Sequence, residues 1–200
     1  MSFLFAISLF ALTMSISPGP VNLICLSTGA NYGFMRTLPF VLGAALAFTA
    51  LLVAIGLGLS QVVARVSILM DVMAYLGCAY ICYLGYKIAI STVSLETHED
   101  KRPGFAQGAL LQWLNPKAWI AALTCVSIFS LTDSYTRLFL SSAVYAVLCF
   151  GSIAAWAYLG ERLNRVMINP ASIAIFNRLM GVTLVLVAGY LLYLHLTPGQ

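Results

Sequence analysis

Two short stretches hold the residue types able to do chemistry in an otherwise apolar chain. One is Ser17-Pro18-Gly19-Pro20-Val21-Asn22, within "SISPGPVNLI" at 15–24. The other is Asn115-Pro116-Lys117, within "LLQWLNPKAWI" at 110–120. A proline removes a backbone donor and frees carbonyls upstream, and in hydrocarbon such groups cannot stay unpaired. They are tolerated where they line a polar cavity. Half-helices starting after Pro20 and at Pro116 would turn N–H groups and positive dipole ends toward that cavity, which suits an anionic group such as a carboxylate. Asn22 and Asn115 add amide donors and acceptors, and Lys117 adds a full positive charge. A lone proline in a membrane helix makes only a kink, and a lone lysine snorkels or pairs with a helix-end carbonyl. Paired breaks, each beside an asparagine and one beside a lysine, point to a functional cavity.

The remaining reactive types are poorly placed for catalysis or metal binding. All six acids (Asp71, Glu96, Glu99, Asp100, Asp133, Glu161) fall at span ends or in connections. His98 lies in a loop and His195 near the C-terminus, so the clustered ligands that a transition-metal exporter needs are not seen. The five cysteines (Cys25, Cys78, Cys82, Cys125, Cys149) all sit in apolar runs. Cys78 and Cys82 share a helix face, which suggests a thiol-redox carrier, but helix geometry hinders a disulfide between them and small packing residues is the simpler reading. No nucleophile-and-base pair or His-Glu-x-x-His motif suggests a hydrolase, so the chain reads as a non-enzyme without cofactor or metal.

The elements that must position the two breaks follow from composition. The chain has 200 residues, 62% hydrophobic and 8% charged, with a mean hydropathy of +0.97. A soluble domain would carry roughly a quarter charged residues. The sequence therefore describes an all-α membrane protein, one transmembrane domain over residues 1–200. Helical spans need about 20 apolar residues, and six are expected, near 3–30, 38–62, 68–90, 105–130, 137–159 and 173–196. The first has no basic start and no Ala-x-Ala-like site, so it reads as a retained span and not a signal peptide. Small residues at four-residue spacing (Ala50, Ala54, Gly58; Ala74, Cys78, Cys82) predict close helix packing, within one subunit or between the subunits of a homodimer.

The net charge of +4 is spread along the chain, with no basic cluster that would grip nucleic acid. Alternating spans collect Arg36, Lys87, Lys101, Arg102, Arg162, Arg165 and Arg178 on one side, against Arg65 and Arg137 on the other. This bias predicts a cytoplasmic first side and both termini outside the cytoplasm. Pro116 follows Pro18 by 98 positions, and each break falls in the first span of its half. Three spans per half give opposite orientations: two three-helix inverted repeats with broken first helices, over 1–92 and 105–200, joined by a polar cytoplasmic linker at 93–104. No carboxylate stands at mid-depth to neutralise a basic side chain, which favours small neutral molecules over cationic ones.

At these residues the chain resembles the LysE/RhtB family of amino-acid exporters. The family's first-span "PGPN" stands here as Pro18-Gly19-Pro20-Val21-Asn22, with Val21 in between. "GFMRTLPFVLGAAL", "GCAYICYLGYK" (77–87), "GFAQGALLQWLNPKA" (104–118) and "NRLMGVTLVLVAGYL" (177–191) resemble its later motifs in order. The resemblance implies efflux of amino acids or derivatives, homoserine-, threonine- or cysteine-like, across the bacterial inner membrane and driven by the proton gradient. It also implies Pro18, Gly19, Pro20, Asn22, Asn115, Pro116 and Lys117 as the site. Lys117 and the half-helix ends would hold the carboxylate. The freed carbonyls, the asparagine oxygens or an aromatic face (Trp113, Trp119, Tyr80) would meet the ammonium. Asp71 and His195 are the groups nearest to a proton relay.

Overall fold

The structure, a computed structural model, describes residues 3–59, 61, 67–91, 102–167 and 169–197. Arg65, and most of the expected linker with Glu96, His98, Glu99, Asp100 and Lys101, lie outside the described residues. Among the described residues the fold is all helical: α1 (Phe3–Ile16), α2 (Pro20–Tyr32), α3 (Phe34–Ala54, continued by a π turn at Ile55–Leu59), α4 (Ser67–Ala89), α5 (Phe105–Trp113), α6 (Pro116–Ile128), a 3₁₀ turn (Leu131–Asp133), α7 (Tyr135–Val166) and α8 (Pro170–Leu196). Four stretches are long and apolar enough to cross a bilayer: Phe34–Leu59, Asp71–Ala89, Tyr135–Val166 and Ala171–Leu196. A fifth crossing is available if α1 and α2, bent by 60° at their junction, act as one. The expected fourth span is also divided, into α5 and α6 of 9 and 13 residues.

Both divisions fall at the prolines because proline is favoured at a helix start and disfavoured inside one. Pro20 and Pro116 each occupy the first helical turn. The α2–α3 junction turns on Gly33, whose φ of +87° few side chains tolerate. The fifth apolar run, expected to end near 159, continues as helix to Val166. Its polar "GERLNRV" tail keeps its internal hydrogen bonds after the hydrophobic stretch ends, so hydropathy understates the helix.

α2 and α1 pack along α7, α4 packs along α8, and α3 lies against both α5 and α7. Three of these contacts, α2–α7, α3–α5 and α4–α8, are made backbone to backbone through glycine. A Cβ on Gly29 would lie 2.0 Å from the Ala157 carbonyl oxygen, and one on Gly160 would lie 2.0 Å from that of Leu26. Gly43 and Gly108 meet Phe105 and Phe40 in the same way between α3 and α5, and Gly85 and Gly181 face each other between α4 and α8. Lipid is as apolar as a side chain, so close approach of this kind replaces hydrophobic burial as the cohesive force. Within the subunit, Ala50 of the expected stripe Ala50–Ala54–Gly58 is exposed while Ala54 and Gly58 are half-buried, and α3 packs through Gly43, Ala44, Ala47 and Leu51. With both faces apolar, residue size alone does not say which face meets protein. On α4, Ala74 and Cys78 are buried and Cys82 half-buried.

The polar groups sort by end. Asn31 of α2 and Asn177 of α8 exchange amide hydrogen bonds of 2.8 and 3.0 Å, and Asn177 also donates to the Ser91 carbonyl beyond α4. At the same end Glu161 of α7 accepts the Phe34 N–H at 2.7 Å and pairs with Arg165 at 2.6 Å. At the opposite end His195 Nε2 lies 2.9 Å from Asp71 Oδ1, joining α8 to α4, and Arg137 stacks over Phe3.

Candidate functional site

The first break leaves the last carbonyls of α1 without helical partners, and each finds a donor from elsewhere. Asn22 Nδ2 donates to the carbonyls of Ser15 and Ser17 at 2.8 and 2.9 Å. The Trp156 indole, arriving from α7, donates to Ile16 at 3.0 Å. Lys117, arriving from the start of α6, gives its ammonium to the Ser17 carbonyl (2.7 Å), the Ser17 hydroxyl (2.8 Å) and the Pro18 carbonyl (3.4 Å). A cation at the C-terminal end of α1 also complements its dipole.

At the second break Asn115 caps α6, its Oδ1 accepting the Lys117 N–H at 3.1 Å. The Trp113 carbonyl accepts the Trp119 indole at 2.7 Å, and the two rings meet edge to face. No side chain caps α2, because Gly19 has none to offer. Gly19 lies close to the lysine: a Cβ there would be 3.1 Å from both Cδ and Nζ of Lys117.

Between the breaks lies a cavity of about 40 Å³, room for roughly two or three waters. Gly19, Val21 and Asn22 from the first break and Asn115 and Lys117 from the second line it, together with Gln112, Phe48, Tyr145 and Cys149. Of the seven expected site residues, Gly19, Asn22, Asn115 and Lys117 reach the wall. Pro18 contributes its carbonyl to Lys117, while Pro20 and Pro116 act by starting the helices. Trp113, Trp119 and Tyr80 are not on the wall: the tryptophans pack on each other, and Tyr80 stacks with Tyr83. The aromatic wall is Phe48 and Tyr145, stacked at 4.5 Å. The freed carbonyls, expected to await an ammonium, are already taken by Asn22, Trp156 and Lys117.

Gln112 is a residue that the sequence reading passed over. It sits in the last turn of α5, 6% exposed, and its Oε1 has no hydrogen-bond partner. Its signal was present: a glutamine three residues before Asn115 inside an apolar run. No carboxylate among the described residues lines the cavity. Among the described residues no three His, Cys, Asp or Glu side chains gather as a metal site, and the five cysteines are unpaired.

Membrane-length helices, with two proline breaks joined through a lysine beside a small cavity, define a multi-pass membrane protein. The chain belongs to the LysE type translocator family, whose pattern matches residues 12–195. It is 29% identical over 160 residues to a cysteine/O-acetylserine efflux protein of Salmonella choleraesuis strain SC-B67, covering 78% of this chain and 81% of the relative. A cysteine/O-acetylserine efflux protein of Klebsiella pneumoniae is 26% identical over 164 residues, covering 80% and 82%, and one of Escherichia coli O1:K1 is 28% identical over 160 residues, covering 78% and 81%. No solved structure matches the chain.

Proposed function

We propose that this protein exports small neutral amino acids or their derivatives, with cysteine and O-acetylserine the first candidates, across the bacterial inner membrane. The observation behind this reading is the junction of the breaks: Lys117 of one half grips Ser17 and Pro18 of the other beside a cavity on whose wall the described residues place no carboxylate. A basic substrate would bring a side-chain charge that nothing there neutralises, at a heavy desolvation cost. A zwitterion brings a carboxylate for Lys117 and for the uncapped N-terminus of α2, whose N–H groups and dipole favour an anion. The relatives' names supply the candidate substrates.

The architecture in this reading is six spans, α1–α2 and α5–α6 each counting as one broken crossing, in two inverted repeats over 1–92 and 105–200 with the linker at 93–104. Reciprocal contacts support it. Gly85 and Gly181 approach each other's carbonyl oxygen, and the α3–α5 contact has its counterpart in α7–α1. Arg36, Arg165 and Arg178 lie toward the end where Asn31 meets Asn177, which we take as cytoplasmic, with both termini outside. The proton gradient is the driving force that the family resemblance implies.

The test is the extracellular amino-acid profile of cells overproducing the protein or its Lys117→Met form. Enrichment of a small neutral amino acid by the unmodified protein alone, abolished by a protonophore, is the expected result. An unchanged profile with cysteine and O-acetylserine present in the cells would overturn the substrate reading, and normal export by Lys117→Met would remove Lys117 from the site.

A further inference from the structure

The polar groups around the cavity are unevenly committed. The Lys117 ammonium holds two carbonyls and a hydroxyl, Asn22 Nδ2 holds two carbonyls, and Asn115 Oδ1 caps α6. Gln112 differs. The residue lines the cavity, and its buried amide oxygen has no hydrogen-bond partner among the described residues. Leaving such a group unpaired costs stability, whereas a leucine of similar size would fit the apolar end of α5 at no such cost.

Resting on the amino-acid export reading, we propose that Gln112 Oε1 is the acceptor for the substrate's α-ammonium, and that it makes a free amino group a requirement for transport. An ammonium brings three donors. The break carbonyls are occupied and Asn115 Oδ1 caps α6, so Gln112 Oε1 receives it, with Asn22 Oδ1 available as a second acceptor. With the carboxylate toward Lys117 and α2, the ammonium turns toward α5, and the substrate side chain lies against Phe48, Tyr145 and Cys149. The site therefore takes α-amino acids with an unmodified amine and rejects N-acylated ones, whose amide nitrogen carries no charge and one donor.

The test uses the full-length protein in proteoliposomes, with L-cysteine and N-acetyl-L-cysteine as probes, in wild type, Gln112→Leu and Gln112→Glu. The wild type should carry cysteine and discriminate against the N-acetyl compound. Gln112→Leu should lose about tenfold or more in kcat/KM for cysteine, the scale of a hydrogen bond to a charged group, and most of that discrimination with it. Gln112→Glu keeps an acceptor oxygen and should keep cysteine transport. Three results would overturn the assignment. They are wild-type transport and discrimination in Gln112→Leu, a folded Gln112→Glu that carries nothing, or a Gln112→Leu that stops telling cysteine from alanine while still rejecting N-acetylcysteine, which would make Gln112 a side-chain reader. A wild type that carries no neutral amino acid defeats the export reading itself, and this inference with it.

Discussion

α7 carries two glycines in opposite surroundings, which allows a controlled test of what holds the bundle together. Gly160 sits where a Cβ would be 2.0 Å from the Leu26 carbonyl oxygen and 2.9 Å from the Ala30 nitrogen, whereas a Cβ on Gly151 would meet nothing within 4 Å. Alanine at either position gains about 0.5–1 kcal/mol of helix propensity. At Gly151 that is the whole effect. At Gly160 the carbon must retreat by more than an ångström to reach the roughly 3.3 Å of a tolerable C···O contact. The obstacle is helix backbone and cannot rotate aside, so overpacking of about 3 kcal/mol, the upper part of the usual range, is expected. Gly160→Ala should therefore be destabilised by about 2 kcal/mol net and Gly151→Ala stabilised by up to about 1 kcal/mol. At about 2–4 °C per kcal/mol for a chain of this size, their unfolding midpoints in mild detergent should differ by roughly 6–12 °C. Gly160→Ala should also lose transport, because α2 carries Asn22 and α7 carries Tyr145. If Gly160→Ala melts at or above Gly151→Ala, close backbone approach is not what fixes α2 on α7.

Gly19→Ala should fold nearly normally, since φ is −166° and the crowded atoms at 3.1 Å belong to a flexible lysine. It should nonetheless cut efflux about tenfold or more by pushing Lys117 off Ser17; an unaltered rate would show that this contact is dispensable. Tyr145→Phe keeps the 4.5 Å stack on Phe48 and should unfold within about 1 kcal/mol of wild type. Tyr145→Ala should lose about 3–5 kcal/mol, measured by thermal unfolding, and equal midpoints for the two variants would refute the packing role.

The breaks were legible in the sequence because proline is favoured at a helix start and disfavoured inside one, although Pro39 stands within α3 without dividing it. That Asn115 caps α6 and that Lys117 bonds the Ser17 and Pro18 carbonyls came from the structure. The cavity wall was less legible. Trp113 and Trp119 are conspicuous in sequence yet satisfy each other, while Gln112, Tyr145 and Cys149 reach the wall only because of how α5 and α7 are rotated. Rotation is read from amphipathicity in a soluble helix. Here lipid and protein are both apolar, so neither α3 nor α7 announces its inner face, and Ala50 of the expected small-residue stripe is exposed within the subunit. The true seam is marked by glycines whose partners lie far along the chain, Gly29 with Ala157 and Gly43 with Phe105, and spacing along one helix carries no record of them.

The grip of Lys117 on Ser17 and Pro18 has a further consequence. Two carbonyls and a hydroxyl already occupy the ammonium at 2.7–3.4 Å, in the manner of a resident pseudo-ligand. Any carboxylate that engages the lysine does so by exchange, and the attraction it gains is reduced by the bonds it displaces. On the export reading proposed above, affinity would thereby be held low, and the displaced carbonyls would retake the lysine as the anion leaves. An internal competitor of this kind would favour release over retention.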